Sequence, residues 1–355
     1  MIHSTKNYAV SETDTAHKFK LGELFAGAGG TALGAHMAQI SGFGFEHAGV
    51  NDKDSDACKT LARNIPIHPD FVFDCDVSEL SLDRLPDIDG FVFGFPCNDF
   101  SVVGDRHGIA GHYGGLYRWG IQILEKYKPL FFLAENVSGL TSSGDDFEII
   151  KNDLINSGYK IFPRLYKFEQ YGVPQNRQRI IVVGFRDDLD IFNFNHPEPT
   201  TLNNPVTVMQ ALSGIKVDAA NNEFTNQSTT VIERLKHIKP GENAFTADLP
   251  DHLKLKLKSG ATISQIYKRL EPDKPSYTVT GSGGGGTHIY HWQENRALTN
   301  RERARLQAFP DGFIFEGGKE SVRRQIGMSV PPLGAQIIFE GILRTLINHK
   351  VVSQC

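Results

Sequence analysis

The sequence predicts an α/β fold: a doubly wound, mostly parallel sheet with a smaller, loop-rich second domain. Three observations predict it. Apolar runs alternate with amphipathic runs from about residue 21 to residue 190, the pattern of strands joined by crossover helices. Several apolar runs end in acids or polar turns, as strands do when their carboxyl ends face a ligand cleft. The alternation then breaks, and residues from about 187 to 295 are rich in Asn, Pro, Thr and Gly.

The elements follow in order. "KLGELFAGAGGTALGAHMAQ" is a short apolar run, a Gly-rich turn and a helical pattern, hence strand–turn–helix. "FEHAGVNDKD" predicts a second strand ending in acids and "DACKTLARN" the helix after it. "PDFVFDCDVS" predicts a third strand and "DGFVFGFPC" a fourth. "YRWGIQILEKYKP" is a helix, "LFFLAENVSG" a fifth strand, and "FEIIKNDLINSG" a helix capped by Gly158. "RIIVVGFRDD" is a further strand. Beyond the irregular region, "RALTNRERARLQAF" predicts an amphipathic helix with Thr299 as N-cap and Glu302 at capping-box spacing. "LGAQIIFEGILRTLIN" is a final helix apolar enough to need burial against the first domain.

The totals bound the class. With 355 residues, 40% hydrophobic and 22% charged, the chain reads as globular, with more than one ordinary core. No run approaches 18 uncharged apolar residues, so no membrane helix is predicted. The first 20 residues are polar, lack a signal-peptide core and are expected to form a flexible tail. Cys58, Cys75, Cys97 and Cys355 have neither metal-ligand nor disulfide-framework spacing, which predicts no metal site and a reducing, intracellular setting. Net charge is −4, but residues 231–305 hold 13 Lys/Arg against 8 Asp/Glu. A basic later segment on an acidic body allows polyanion binding there, and a solvated charged face reads equally well.

Four places carry chemistry. The turn Gly27-Ala28-Gly29-Gly30-Thr31-Ala32 fits G-x-G-x-x-G/A, with Asp52 about 25 residues on. It needs close backbone approach and a carboxylate at the next strand end. A dinucleotide meets that need, and so does any adenosine-bearing cofactor with a ribose diol, such as S-adenosylmethionine. Asp76, at the end of the third strand, adds a polar anchor. Cys97 follows Pro96 at the carboxyl end of the fourth strand, where a thiol facing the cleft and a small buried hydrophobe read equally well. Glu135 ends the fifth strand at the same edge. Arg177 and Arg179 stand at i and i+2 entering a strand, so alternation predicts both side chains on one face, suited to a phosphate or a base carbonyl. The run Gly281 to His288 reads either as a linker or as backbone that must approach a ligand.

These pieces occur in an order that resembles the DNA (cytosine-5)-methyltransferases of prokaryotic type. The matching stretches are "LFAGAGG", "GFPCNDFS", "ENV", "QNRQRIIVVGFR", "RALTNRERARLQAFPDGF" and "GMSVPP", spanning residue 21 to the final helix. The resemblance implies a Rossmann-like S-adenosylmethionine-dependent domain over 21–190 plus 325–355 and a target-recognition domain over 191–324. It implies that Phe25, Gly27, Gly29, Gly30 and Pro96 line the cofactor pocket, that Asp52 binds the ribose, and that Asp76 and Val77 hold the adenine. Leu116, Ser329 and Val330 complete that wall. Cys97 is implied as the nucleophile toward C6 of a flipped-out cytosine. Glu135 would hold the base's N3 and amino edge, and Arg177 and Arg179 its O2 and the phosphate side. Ser101, Thr278, Gly283, Gly284, Gln265 and Lys268 are implied DNA contacts, with the Gly-rich loop entering a groove.

The implied activity is methyl transfer to C5 of cytosine in a specific duplex sequence, as the modification enzyme of a restriction–modification system. The expected partner is double-stranded DNA, with a restriction endonuclease as functional counterpart. A monomer in the bacterial cytoplasm, associated with the nucleoid and with no membrane, is expected. Three residues depart from the family pattern: Asn98 where Gln is usual, Met328 where Asn is usual, and Lys53 where an apolar residue often stands. The nearest rival is a transfer-RNA cytosine-5 methyltransferase. Its Cys-Phe-Thr signature is missing, since no Cys falls between 98 and 354. A catalytically silent DNA-binding regulator would not need Cys97, Glu135 and both arginines. A dehydrogenase is supported by the Gly turn alone.

Overall fold

The computed structural model describes residues 17–95, 115–142, 144–255, 264–281 and 284–351. The chain begins with β1 (His17–Leu24), α1 (Gly30–Met37), β2 (Phe43–Asp52), α2 (Ser55–Asn64), β3 (Val72–Asp74) and β4 (Gly90–Phe93). It continues with α3 (Tyr117–Tyr127), β5 (Phe131–Val137), α4 (Asp146–Asn156), β6 (Tyr159–Lys167) and β7 (Gln178–Arg186). The later helices are α5 (Val208–Leu212), α6 (Thr229–Lys236), α7 (Asn300–Leu306), α8 (Lys319–Met328) and α9 (Pro332–Asn348).

The strands form one sheet in the order β3-β2-β1-β4-β5-β7-β6. The first five in that order run parallel, and β7 runs antiparallel to both β5 and β6. Strand order reverses between β1 and β4, where Leu24 pairs with Phe93. The segments leaving those two strand ends therefore flank one crevice, the position at which open α/β sheets bind ligands.

Both faces of the sheet are covered, which is why the central strand β4 is apolar and buried on every residue. On one face Phe93 packs against Phe132, and Gly120 of α3 lies so close to the Phe93 ring that a Cβ there would meet it at 2.5 Å. Buried Leu154 of α4 belongs to the same cluster. On the other face Phe45 meets Phe131 and, at 5.0 Å between ring centroids, Phe339 of α9. The apolar character of α9 is thus taken up by packing.

Three expectations are corrected. The tail assigned to residues 1–20 overlaps β1, which starts at His17 and pairs with Phe43 of β2. The third strand ends at Asp74, so Asp76 lies beyond it. A strand was missed: β6 carries Pro163 at its centre, which reads against a strand. Its edge position, paired only to β7, removes the objection because one side needs no ladder donors.

The chain divides into two compact units, 1–168 with 178–199 and 330–355, and 169–177 with 200–329. This moves both expected boundaries. Residues 191–199 belong with the sheet, while 325–329 and the short excursion 169–177 belong to the second unit.

That second unit is built largely from loops, whose carbonyls lack the ladder donors that strands supply. Arginines serve instead. Buried Arg301 donates to the carbonyls of Ala220, Pro310 and Phe313 at 2.9, 3.1 and 2.7 Å. Arg269 reaches the carbonyls of Leu235, His291 and Glu294, and Arg234 that of Leu253. Arg296 pairs with Glu302 and Glu294, and Arg305 with Asp311. Five arginines of residues 231–305 therefore act as internal staples, while lysines such as Lys236, Lys239 and Lys274 are exposed. Thr299 caps α7 in a reciprocal capping box with Glu302, as the spacing predicts.

A buried carboxyl–imidazole contact in the sheet gives a pH prediction. Glu23 of β1 lies 3.1 Å from His47 of β2, both almost fully enclosed. Burial raises the Glu23 pKa, an effect the His47 contact opposes. A carboxyl whose folded pKa is raised binds its proton more tightly in the native state, so its charged form costs stability as pH rises above the ordinary 4.5. Glu23→Gln is expected to gain stability relative to wild type between pH 5 and 8, measured as the difference in urea midpoint. A difference that shrinks with rising pH would contradict this.

Candidate active site

The turn after β1 is built from left-handed residues. Phe25, Gly27 and Gly29 have φ of 58°, 54° and 87°. Such a φ is strained for Phe25, and packing against the core holds it there. Gly27 N donates to Asp52 Oδ2 at 2.8 Å, and Asp54 N donates to Asp52 Oδ1 at 2.9 Å. The carboxylate at the end of β2 therefore braces the Gly turn. Burial raises the Asp52 pKa, and these backbone donors oppose it. A Cβ built on Gly27 meets nothing within 4 Å, so the backbone there borders open space. Gly30 is the first residue of α1.

Sequence reasoning missed the residue that aligns the neighbouring strand end. Asn51 is buried, and its Nδ2 donates to the carbonyls of Phe73 and Cys75, both at 2.9 Å. It fixes β3 beside β2 and with it the approach to Asp76. The Asp76 carboxylate accepts from Ser78 N and Ser78 Oγ at 3.0 and 2.8 Å, capping a short turn that buries Val77. A buried amide inside an apolar strand was the available signal. Leu116 is the N-cap just before α3, half-buried against the core, and Val330 is buried.

At the end of β5, Glu135 and Arg179 meet. Arg179 Nε lies 2.7 Å from Glu135 Oε1, with only 13% and 16% of the two side chains exposed. The antiparallel register sets Arg179 diagonally from Glu135 on one face, because Val137 pairs with Arg179 and Glu135 with Ile181. The other carboxylate oxygen lies 3.3 Å from where a Cβ on Gly94 would stand. Asn136 Nδ2 donates to the Phe95 carbonyl at 3.1 Å. Strand β5 thus holds both the carboxylate and the start of the segment leading to Cys97. Pro96, Cys97, Asn98, Ser101 and Gly283 lie outside the described residues.

The structure puts Arg179 in a strand and Arg177 just before it. β7 begins at Gln178, and Arg177 belongs to the second unit. It is 1% exposed, and its guanidinium donates to the carbonyls of Val279, Gly327 and Ser329 at 3.1, 3.0 and 2.9 Å. The Ser329 hydroxyl itself donates to Gln325 O at 2.8 Å. Gln175, fully buried, bonds Val279 N, Leu306 O and the Gln307 side chain. Thr278 Oγ1 donates to Asn176 O at 2.6 Å. The motif around Arg177 therefore anchors the second unit's own backbone.

The Gly-rich run is also partly structural. A Cβ on Gly281 would stand 2.9 Å from Arg324 O, and one on Gly327 2.0 Å from Gly281 N. Gly281 thus serves close packing against α8 and is not free to enter a groove. Gly284 has open space around it. Gln265 is exposed, and the Lys268 ammonium lies 5.2 Å from the Tyr277 ring centre.

Comparison with known proteins agrees with this architecture. The family model for C-5 cytosine-specific DNA methylase matches residues 19–344. The type II methyltransferase M.BbvI of Brevibacillus brevis is 54% identical, over 95% of this chain and 94% of its own length. M.NgoFVII of Neisseria gonorrhoeae is 40% identical over 93% and 87%. A solved Escherichia coli structure, described as a prophage-encoded DNA modification methyltransferase, superposes with a TM-score of 0.72. It is 26% identical and covers 93% of this chain and all of its own. The methyltransferase EhMeth of Entamoeba histolytica, 15% identical with 93% and 99% covered, shares the fold at a TM-score of 0.63. A match running from β1 into α9, with relatives at this identity, makes the chain a member of the C-5 cytosine-specific DNA methylase family and a DNA (cytosine-5-)-methyltransferase.

Proposed function

We propose that this protein methylates C5 of a cytosine rotated out of a specific duplex DNA sequence, through a covalent bond between the Cys97 sulfur and C6 of the base. The observation that carries the reading is the Glu135–Arg179 pair beside Gly94, on the strand next to the one that leads to Cys97. The proposed methyl donor is S-adenosylmethionine. The residues present fit it: open space at Gly27, a buried carboxylate at Asp52 and apolar Val77 beyond β3. Phe25, Gly27, Gly29, Gly30, Pro96, Leu116, Ser329 and Val330 are proposed to border it, with Asp52 toward the ribose hydroxyls and Asp76 toward the adenine. When bound, it supplies an electrophilic methyl group on a sulfonium.

The protein's groups prepare the base. Cytosine C5 is a poor nucleophile while the ring is aromatic. Addition of the Cys97 thiolate to C6 breaks aromaticity and makes C5 enamine-like. Glu135 holds the N3 and amino edge, where charge changes during that addition, and Arg179 orients Glu135 and faces the O2 side. C5 then gains the methyl group, and loss of the C5 proton with release of the thiolate from C6 restores the ring. A stacked base cannot meet these groups, so the target is flipped out. Arg177, enclosed by three carbonyls, acts as a positioning residue in this scheme.

Residues 200–329 with 169–177 are proposed as the target-recognition unit, with Ser101, Thr278, Gly283, Gly284, Gln265 and Lys268 as candidate DNA contacts. The names of the type II relatives support a modification role beside a restriction endonuclease. The test is transfer of labelled methyl from S-adenosylmethionine to mixed-sequence duplex DNA, RNA or no substrate. Label in the duplex alone is expected; no label in any duplex overturns the reading. In the same assay Asp52→Asn, which loses an anionic acceptor, is expected to raise KM for S-adenosylmethionine roughly 10–100-fold with a smaller change in kcat. An unchanged KM would separate Asp52 from the donor.

A further inference from the structure

The second unit contains a cationic cavity that none of the roles above employs. We propose that it binds a phosphate-type oxyanion, with one oxygen seated between Arg303 of α7 and Arg323 of α8. Arg303 is 2% exposed, yet its Nη2 has no hydrogen-bond partner among the described residues. The enclosed Nε of Arg323 also lacks one. Both side chains line a cavity of about 10 Å³, together with His288, Asn300, Lys319 and Glu223. That is room for roughly one water-sized atom.

A native protein rarely leaves guanidinium N–H groups buried and unused, because each forfeits its hydration without return. Arg301 of the same unit shows the contrast, since its Nε, Nη1 and Nη2 each reach a carbonyl. Around the cavity the charges are of one sign apart from Glu223. The Lys319 ammonium donates to Phe224 O at 2.8 Å, and the one carboxylate paired with Arg323 among the described residues is the exposed Glu320, at 3.6 Å. Glu223 is exposed, and no ion pair joins it to either guanidinium among the described residues. Burial first, and then Arg323, lower the Arg303 pKa to about 10, so the side chain stays ionised at neutral pH. Burial and the same two arginines drive His288 to about 4, so it adds no charge. A water oxygen would accept these N–H groups and leave the repulsion standing. An anionic oxygen satisfies them and cancels charge. A free phosphate ion and a phosphodiester of the DNA backbone share this chemistry.

The test is thermal unfolding of the full chain in inorganic phosphate against sodium chloride at matched ionic strength. At about 100 times the dissociation constant, phosphate is expected to raise the midpoint by roughly 3–5 °C beyond chloride. Phosphate also stabilises proteins generally, so two surface-side variants carry the decision. Arg323→Gln is expected to lose most of the specific shift. Glu223→Gln, which removes the one opposing carboxylate, is expected to reach the same shift at a severalfold lower phosphate concentration. Both variants responding as wild type would overturn the proposal and leave a water in the cavity. A short duplex then distinguishes the source: suppression of the phosphate shift assigns the site to a DNA phosphodiester, and persistence assigns it to the free ion.

Discussion

A Cys97→Ala protein is expected to bind duplex DNA and transfer no methyl group, a loss on the order of 10⁴-fold or more. The size follows from the chemistry. In the proposed route every other group at the site orients the base or stabilises charge, and only bond formation at C6 removes the aromatic stabilisation that keeps C5 unreactive. Duplexes carrying 5-fluorocytosine sharpen the measurement. The fluorine cannot leave as the C5 proton does, so the thioether persists and the protein–DNA complex survives a denaturing gel. Wild type is expected to form that band and Cys97→Ala to form none. Glu135→Gln keeps the size of the side chain next to Gly94 but loses the charge that Arg179 holds at 2.7 Å. It is expected to trap more slowly and turn over roughly 10²–10³-fold less. Labelled product from the alanine variant would overturn the covalent route.

Features written in consecutive residues were legible, because local backbone geometry selects residue type directly. Gly27 and Gly29 stand where φ is left-handed, and the Thr299–Glu302 box caps α7 at the expected residues. Strand ends carrying Asp52 and Glu135 were legible for the same reason. What failed depends on partners distant in sequence. The acceptors of Arg177 lie 102 to 152 residues away, so nothing near "QNRQR" distinguishes a guanidinium facing a ligand from one facing three carbonyls. The charge excess of residues 231–305 hides a similar division, since a count cannot separate buried arginines such as Arg269 and Arg301 from exposed lysines such as Lys236 and Lys274. Pro163 hid β6 because an edge is a property of the whole sheet.

Arg177→Met is therefore expected to act on stability first, lowering unfolding free energy by about 3–5 kcal/mol, the cost of leaving buried acceptors without their charged donor. The three carbonyls come from two segments in close contact. Val279 O lies two residues before Gly281, and Gly281 N would stand 2.0 Å from a Cβ on Gly327. Gly327 and Ser329 supply the other two acceptors. One planar guanidinium thus ties both walls of a contact that already excludes a methyl group. Arg177→Lys is not expected to rescue it, because an ammonium cannot present the fixed fork that reaches two walls at once. Arg179→Met provides the contrast. It breaks a partly exposed pair at the mouth of the site, so activity is expected to fall much further than stability. Urea unfolding and single-turnover methyl transfer, run on both variants, separate the roles. An Arg177→Met protein as stable as wild type, with the chemical defect of Arg179→Met, would return Arg177 to the base and remove its structural assignment.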